Sequence, residues 1–340
     1  MVEASQDREI LAKGSQVQYT LIQASNILPR YDVFLMTNIP KIAVLLAAYN
    51  GEAWIGEQFD TILNQKDVAV TVFVSIDPST DNTEKICFEY SVIYKNIVIL
   101  ADAGKYGGAA KNFFRLMRDV DLTGFDYVSF ADQDDIWYPD KLVRAITHIK
   151  QSQLGGYSSN VLAFWPLGEQ SVIVKSQPQR QWDYLFEAAG PGCTYVFSAA
   201  LAAALKQSII KNWLQINELG LHDWYSYAFA RANGYVWFID AEPSMLYRQH
   251  SSNQVGVNQG FAAFSYRAKK VMQGWGIKQA ALIARLVGQA DAVFVKSWSG
   301  FSRYGFLKLA MRANQCRRKP SERLFFLVAC LAMSVLGAKS

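Results

Sequence analysis

Two hydrophobic periods alternate along the first half of the chain. Apolar runs of strand length end in polar turns, and after each turn apolar side chains recur every three or four positions, as on one face of a helix. The predicted strands span 42–48, 68–76, 97–100 and a run ending at Ala131, and the helices that follow span 52–64, 83–94, 110–119 and the residues from 139 onward. Four such units in about 110 residues predict an α/β fold, in which helices flank a mixed, mainly parallel sheet.

Shorter elements follow after residue 155. The pattern predicts strands at 161–165, 171–175, 195–197, 236–239 and 245–248, with helices at 182–187, 199–208 and 224–233. The chain from 260 onward has a helical pattern. We therefore divide the chain into an N-terminal extension, an α/β domain and a C-terminal helical region, at 1–38, 39–255 and 256–340.

The N-terminal extension carries no recognisable motif. Residues 11–28 have the pattern of a weak helix. We expect residues 1–35 to be dispensable for folding and ligand binding, with Met36 as an alternative start.

Three carboxylates, Asp132, Asp134 and Asp135, directly follow a buried strand. Open α/β sheets bind their ligands at this carboxyl edge. Such a cluster repels itself unless a cation compensates, and Mg²⁺ and Mn²⁺ prefer oxygen ligands. The alternative is an acidic loop that caps the next helix, because aspartate is favoured near helix N-termini.

Composition narrows the function classes. Half of the residues are apolar, which provides for a large core, and the net charge of +5 is too small to indicate nucleic-acid binding. Four cysteines without paired spacing indicate a reduced chain. The sequence has no GxGxxG or P-loop pattern, so neither dinucleotide nor P-loop binding is supported.

The C-terminus is basic and then apolar. No apolar run reaches the roughly 20 residues of a spanning helix, and the N-terminus lacks a signal pattern. We therefore expect a cytoplasmic protein that works at the inner face of the cell membrane. The run 324–338 is either an interfacial helix that contacts the membrane peripherally or a terminal helix docked on the core.

Five segments in order resemble the family-2 glycosyltransferases of GT-A fold, in particular the bacterial rhamnosyltransferase-like branch. The resemblance covers about residues 40–255. The segments are Ala48-Tyr49-Asn50-Gly51, Asp77-Pro78-Ser79-Thr80-Asp81, Gly107-Gly108-Ala109-Ala110-Lys111-Asn112-Phe113, Asp132-Gln133-Asp134-Asp135 and Tyr247-Arg248-Gln249-His250. Each segment alone is weak evidence for the family, whereas all five in this order are strong evidence.

The resemblance implies a role for each of these segments. An aromatic residue at 49 lies against the donor base, and the aspartate cluster binds the donor ribose and a divalent metal on its diphosphate. Implied nucleotide-binding residues are Ala48, Tyr49, Asn50, Asp77, Lys111 and Asp132. Implied metal ligands are Asp134 and His250, supported by Asp135.

The resemblance also implies a catalytic base. The family uses the aspartate of a Glu-Asp pair before a helix, and here the pair is His222-Asp223. Asp223 therefore takes the role of the base, with His222 as a supporting residue. In the segment implied to bind the donor's nucleobase or ribose, Ile76 and Pro78 depart from the acidic and glycine positions of the family's Asp-Asp-Gly-Ser turn.

The implied reaction is a single displacement with inversion. It moves a sugar, rhamnose in this branch, from a UDP- or dTDP-linked donor to a glycan or lipid-linked acceptor in cell-surface polysaccharide synthesis. A Mn²⁺ or Mg²⁺ ion neutralises the leaving diphosphate, and a carboxylate takes the acceptor's proton. The alternatives are a metal-dependent phosphohydrolase or nucleotidyltransferase, and a nucleotide-sugar-binding protein without transfer activity.

Overall fold

The four predicted strand–helix units are present. In the computed structural model, residues 39–102, 104–250 and 274–337 are described. The predicted helix at 11–28 lies outside them. The first half of the chain comprises β1 Lys41–Ala48, α1 Ile55–Leu63, β2 Ala69–Ile76, α2 Thr83–Ile93, β3 Ile97–Ile99, α3 Ala109–Asp119, β4 Tyr127–Ala131, β5 Ile136–Trp137 and α4 Lys141–Gln151.

The second half follows the predicted order, with two additional elements, β6 and α6. The helix predicted at 182–187 is a single 3₁₀ turn. The strands are β6 Gly156–Ser159, β7 Val161–Phe164, β8 Gln170–Ile173, β9 Val196–Ser198, β10 Trp237–Asp240 and β11 Met245–Arg248. The helices up to residue 250 are α5 Ala199–Lys211, α6 Trp213–Ile216 and α7 His222–Ala232, with 3₁₀ turns at Asp183–Leu185 and Gly192–Thr194.

Helices occupy the described C-terminal residues. They are α8 Trp275–Leu286, α9 Val293–Lys296, α10 Arg303–Ala310, α11 Ala313–Cys316 and α12 Pro320–Leu336. In the parts of the chain that the structure describes, no helix combines the length and apolar character needed to cross a membrane.

The main sheet is mixed and mainly parallel, as predicted. Its seven described strands lie in the order β10-β6-β9-β4-β1-β2-β3. Strand β1 runs parallel to both β2 and β4, and β2 runs parallel to β3, whereas β9 is antiparallel to β4 and β6. A second sheet has the order β5-β11-β7-β8. These pairings confirm the α/β class.

Strand β6 was not predicted from the sequence, because most of its residues are small. An added Cβ on Gly156 would lie 2.3 Å from the Trp237 ring, so a side chain there would displace the indole of the neighbouring strand. Apart from Tyr157, the strand consists of glycine and serine, so it lacks the run of apolar residues by which strands are usually recognised. Its burial comes from its neighbours.

Successive residues of β1 contact two different cores. Ile42, Val44 and Leu46 face a cluster with α1 and α4, whereas Ala43 and Leu45 face a cluster with α3, α5 and α7. This is the alternation expected of a strand buried on both faces. The second cluster extends to the C-terminal helices, whose buried members include Trp298, Phe306, Leu309, Cys330 and Met333.

Helix α12 has one buried and one exposed apolar face. Its buried residues are Ala329, Cys330 and Met333. At spacings of four, three and four residues, the exposed positions are Leu324, Val328, Leu331 and Val335, with 40–71% of each residue accessible. The helix thus docks on the core, as one alternative predicted, and still presents an apolar stripe to solvent.

Candidate active site

Three strands place their carboxyl ends at one edge of the main sheet. Ala48 of β1 pairs with Ile76 of β2, and Leu46 of β1 pairs with Ala131 of β4. The turns after these strands therefore meet, and they contain most of the predicted nucleotide-binding residues. Ala48 itself is buried, with 1% exposed.

The turn after β1 and the turn after β2 are joined by hydrogen bonds. The Asn50 backbone N–H donates to Ser79 Oγ at 3.1 Å, and the Thr80 N–H donates to Asn50 Oδ1 at 2.8 Å. Asn50 has φ +45°, a left-handed conformation that asparagine tolerates better than most residues. Asn50 therefore connects two loops, and the neighbouring Tyr49 ring remains accessible, with 49% of the residue exposed.

Gln133, which was assigned no role from the sequence, fixes the Tyr49 backbone. Tyr49 N–H donates to Gln133 Oε1 at 2.8 Å, and Gln133 Nε2 donates to the Tyr49 carbonyl at 2.8 Å. An added Cβ on Gly51 would lie 2.4 Å from Gln133 Oε1, so glycine is needed there for this close approach. Gln133 thereby ties the turn after β4 to the turn after β1.

Asp77 is buried and holds the glycine-containing loop. Its Oδ1 accepts from Tyr106 N–H at 3.1 Å and its Oδ2 from Gly107 N–H at 2.9 Å. Lys111 follows that loop in the first turn of α3 and is half-buried. The two predicted nucleotide-binding residues therefore lie on either side of one loop at the sheet edge.

The acidic segment is a turn, in which the three carboxylates differ in burial. β4 ends at Ala131, so Asp132 and Asp134 are not extended and need not face one way. Asp132 and Asp134 are half-buried, while Asp135 is buried, with 1% exposed. Burial, reinforced by the charge of Asp134, raises the pKa of Asp132 to about 7 and that of Asp135 well above its usual range.

Asp134 and His250 meet although 116 positions separate them. His250 Nε2 lies 2.7 Å from Asp134 Oδ2. The imidazole stacks on the Trp54 ring with centroids 4.0 Å apart, and Arg248 Nε donates to the Asp134 carbonyl at 2.9 Å. Trp54 and Arg248 therefore orient the two residues that were predicted to bind metal.

Two aspartates of the acidic turn and a cysteine form a second group of polar side chains. One ligand atom from each of Asp132, Asp135 and Cys193 lies within 4.8 Å of the others. Within the described residues, neither Asp135 carboxylate oxygen has a hydrogen bond of normal geometry. Lys141 Nζ lies over the Trp137 ring, 3.5 Å from its centroid, and burial lowers the pKa of Lys141 to about 7.

This donor set fits a divalent cation. Several carboxylates repel one another here, and a buried carboxylate without partners is costly unless a cation or proton compensates. Asp132 and Asp134 are the accessible oxygen donors beside His250. Burial strongly raises the pKa of the Cys193 thiol, which keeps it protonated and a poor ligand. The oxygen donors and the imidazole are therefore the better candidates.

Asp223 lies in the first turn of α7, and the pKa of its carboxyl group is raised towards neutral pH. Its Oδ1 accepts from the Trp224 N–H at 2.7 Å. Burial raises the pKa of Asp223 to about 6, against the lowering effects of this hydrogen bond and of Lys175. The charge of Asp223 in turn contributes to the raised pKa of Asp132.

His222 packs in the aromatic core. Its ring stacks on Phe113 with centroids 3.9 Å apart and meets the edge of Phe130 at 5.1 Å. Burial lowers its pKa to about 3, so the imidazole is neutral. An added Cβ on Gly192 would lie 2.5 Å from His222 Nε2 and 3.2 Å from Asp223 Cβ. His222 thus helps to seat the loop that borders Asp223.

A mainly parallel sheet with interlocked loops and an acidic turn at one edge, and a separate carboxylate on α7, is an α/β fold of GT-A type. A solved structure of that type, S. aureus TarS 1-349 in complex with UDP, superimposes with a TM-score of 0.53 at 14% identity, over 87% of this chain and 91% of that one. This chain covers 53% of a longer TarS chain at a TM-score of 0.50. At these identities the likeness establishes the fold.

The sequence comparisons establish the family. Residues 43–168 match the model for glycosyl transferase family 2. The dTDP-rhamnosyl transferase RfbG of Shigella flexneri is 46% identical over 83% of this chain and 98% of its own length. An uncharacterized glycosyltransferase of Haemophilus influenzae is 30% identical over 34% of this chain and 35% of its own. The chain belongs to glycosyl transferase family 2 and is a glycosyltransferase, which confirms the predicted family and enzyme class.

Proposed function

We propose that this glycosyltransferase moves rhamnose from dTDP-rhamnose to a glycan or lipid-linked acceptor in the assembly of a cell-surface polysaccharide. The observation that carries the proposal is the 46% identity to a dTDP-rhamnosyl transferase over 98% of that protein's length. Similarity over 83% of this chain reaches well past the family-model region 43–168 and includes the residues around Asp223.

The donor side of the site supports nucleotide and metal binding. Tyr49 offers an exposed ring to the base, and Asn50 and Asp77 hold the surrounding loops. Asp134 and His250 would hold a Mn²⁺ or Mg²⁺ ion, with Asp132 and Asp135 beside them. Such an ion supplies positive charge to the diphosphate as it leaves.

The acceptor side supports general-base catalysis. Asp223, with its pKa raised to about 6, is ionised at neutral pH and still basic enough to take a proton from an acceptor hydroxyl. The hydroxyl oxygen attacks the anomeric carbon as the bond to the diphosphate breaks, so the configuration inverts. One carboxylate suffices for this single displacement, and no covalent sugar–enzyme intermediate is required.

Thermal-shift measurements test the donor. We expect dTDP-rhamnose with Mn²⁺ to raise the melting temperature more than UDP-linked sugars at equal concentration, because at a given concentration a ligand that binds more tightly stabilises the folded state more. A larger shift with a UDP-linked sugar would overturn the assignment of the donor. Transfer of labelled rhamnose to a lipid-linked oligosaccharide fraction then distinguishes a transferase from a protein that only binds the donor, and from a phosphohydrolase, which would release free sugar phosphate.

We further propose that the C-terminal region contacts an anionic membrane. Residues 274–337 contain ten lysines and arginines and two acidic residues, a net charge of +8, whereas the whole chain carries +5. Two exposed apolar stripes accompany this charge. One comprises Leu324, Val328, Leu331 and Val335 on α12, and the other comprises Tyr304 and Leu307 on α10 with Met311 directly after that helix. Apolar area combined with basic residues is what binds helices to anionic headgroups.

Vesicle flotation tests this contact. The full chain should float with vesicles of phosphatidylglycerol and phosphatidylethanolamine and lose binding when salt screens the charges. Val328→Glu should reduce flotation, and Leu167→Glu, at a position that is 92% exposed in the β7–β8 turn, is the matched control and should not. Equal flotation of the wild type and Val328→Glu would refute the proposed surface.

A further inference from the structure

Arg318, in the C-terminal region, is fully buried against the rest of the domain. Its Nη1 lies 3.0 Å from Asp183 Oδ2, and its Nη2 donates to the Ala188 carbonyl at 2.5 Å. Its backbone N–H donates to Glu187 Oε1 at 2.6 Å, and Nη2 lies 3.5 Å from Glu187 Oε2. One arginine thus binds both ends of the short segment 183–188.

Asp183, the carboxylate that Arg318 binds, also holds helix α7. Tyr227 OH donates to Asp183 Oδ2 at 3.0 Å, and Arg231 Nη1 donates to Oδ1 at 3.2 Å. Tyr227 and Arg231 lie four and eight positions after Asp223, so all three occupy one face of the helix. Arg318 and Asp183 therefore fasten the face of α7 from which Asp223 projects.

The segment held by Arg318 leads directly to the surroundings of Asp223. Ala189 N–H donates to Tyr195 OH at 2.8 Å, and three residues later Gly192 packs against Asp223 and His222. Arg317 adds a hydrogen bond from Nη1 to the Phe186 carbonyl at 2.7 Å. The loop 187–192 thus runs from the C-terminal region to the side chain of Asp223.

The charges in this cluster balance. Asp183 and Glu187 face Arg231 and Arg318, and Asp183 and Arg318 have no exposed surface. Burying four charges is expensive, and replacing such a cluster by apolar residues often stabilises a protein. A cluster of this kind is a weak source of stability, whereas its many directional bonds fix geometry.

We propose that Arg318 is a positioning residue for the transfer reaction. It sets the loop 187–192 and the face of α7 so that Asp223 meets the acceptor hydroxyl, and it thereby makes the C-terminal region part of the acceptor side of the active site. This inference rests on the proposed role of Asp223 as the base. It assigns no donor contact to Arg318, because the donor residues lie on the turns after β1, β2 and β4.

Kinetics and binding measured on the same variants of the full chain test the inference. Arg318→Met keeps much of the buried stem and removes the hydrogen bonds. We expect kcat to fall about tenfold or more, since small displacements of a catalytic group have large effects on rate. The affinity for dTDP with Mn²⁺, measured by calorimetry, should stay within about twofold of wild type if the donor side is separate. Arg318→Lys keeps the positive charge but lacks the branched donors of the guanidinium group. Its kcat should lie between those of Arg318→Met and the wild type.

Arg144→Met is the matched control. Arg144 also donates to a carbonyl, that of Glu242 at 2.9 Å, and pairs with the carboxylate of Asp240 at 3.4 Å, but it does not bind the loop 187–192. It should leave the ratio of kcat to nucleotide affinity unchanged. If Arg318→Met does not fold, kcat and nucleotide affinity are compared in Arg318→Lys and Glu187→Gln instead.

Two results would overturn the inference. One is a loss of nucleotide affinity in step with kcat, which would mean that Arg318 only maintains the fold. The other is an unchanged kcat in Arg318→Met. Failure of the proposed base is recognised separately, because Asp223→Asn would then remain active whatever Arg318 does.

Discussion

At the scale of single residues, the site gives chemically identical side chains different properties. Asp134 lies beside His250, Asp135 is buried with its pKa raised well above the usual range, and Asp223 has a pKa raised to about 6. Burial and the distance between like charges produce these differences. These differences support the proposed division of labour between metal binding and proton transfer, which can be tested one residue at a time.

Asp223→Asn should abolish proton acceptance while keeping the shape of the side chain. We expect kcat to fall by about 10²–10⁴, the usual contribution of a general base. Nucleotide affinity with Mn²⁺ should be unchanged, and calorimetry beside a transfer assay measures both. Near-normal turnover would show that the base is another residue.

The pH dependence of kcat/KM should reflect the same carboxylate. The active form is ionised, so with a pKa of about 6 the rate should be level above neutral pH and decline as pH falls through 6. The profile is measured at saturating Mn²⁺, so that proton competition for the metal ligands does not contribute. The residual activity of Asp223→Asn should lack this acidic limb, and a wild-type profile that is flat down to about pH 5 contradicts the assignment.

Loss of a metal ligand should affect donor binding as well as turnover. Asp134→Ala removes a negative donor, so the Mn²⁺-dependent part of nucleotide affinity and kcat should fall together. His250→Ala should have a milder effect, because the carboxylates remain. Chelation of the wild type with EDTA should reproduce the Asp134→Ala phenotype, and an Asp134→Ala enzyme with unaltered Mn²⁺ dependence would place the ion elsewhere.

At the scale of elements, the proposed donor side depends on loops that follow different strands and are joined by hydrogen bonds. Parallel strands bring these loops to one edge, and reciprocal hydrogen bonds from Asn50 and Gln133 then fix them. The close approach of Gly51 to Gln133 is the tightest point of this arrangement.

Gly51→Ala should loosen that arrangement. Its Cβ would displace the Gln133 amide, which costs two hydrogen bonds of about 1 kcal/mol each. We expect weaker nucleotide binding with little change in kcat at saturation. Gln133→Ala should have a similar effect, and the double variant should be no worse than either single one. Additive losses of affinity would indicate that the two residues act independently.

At the scale of the whole molecule, the C-terminal helices share their core with the family-2 domain. Trp298 is fully buried, with its ring 5.3 Å from Phe186 and 6.2 Å from Phe294 between centroids. This continuity explains how a residue as distant in sequence as Arg318 reaches the surroundings of Asp223.

Trp298→Ala should therefore destabilise the whole protein. Truncating a buried tryptophan costs about 3–5 kcal/mol, so the urea midpoint should drop, and the loss should appear in one cooperative transition. Tyr304→Ala, at a residue that is 66% exposed, is the control and should change stability by about 0.5 kcal/mol or less. A separate early transition in Trp298→Ala would show that the C-terminal helices unfold on their own.

Much of the fold was determined by local sequence pattern. The strands 42–48 and 68–76 became β1 and β2 within one residue, because buried parallel strands are continuous apolar runs bounded by polar turns. The positions of Asp132 and Asp134 after a strand, and of Asp223 at the start of a helix, were likewise predicted from the sequence. Strand β6 was not, since its glycine and serine residues are buried only by the side chains of other strands.

The tertiary structure alone decided which of these residues meet. Nothing local joins Asp134 to His250, Gln133 to Tyr49 or Arg318 to Asp183, which are 116, 84 and 135 positions apart. The tertiary structure likewise gives the three neighbouring aspartates different environments, because the turn after β4 buries Asp135 and leaves Asp132 and Asp134 half-buried. Sequence pattern carries information about periodicity over a few residues, whereas contacts and pKa values depend on chain segments that only folding brings together.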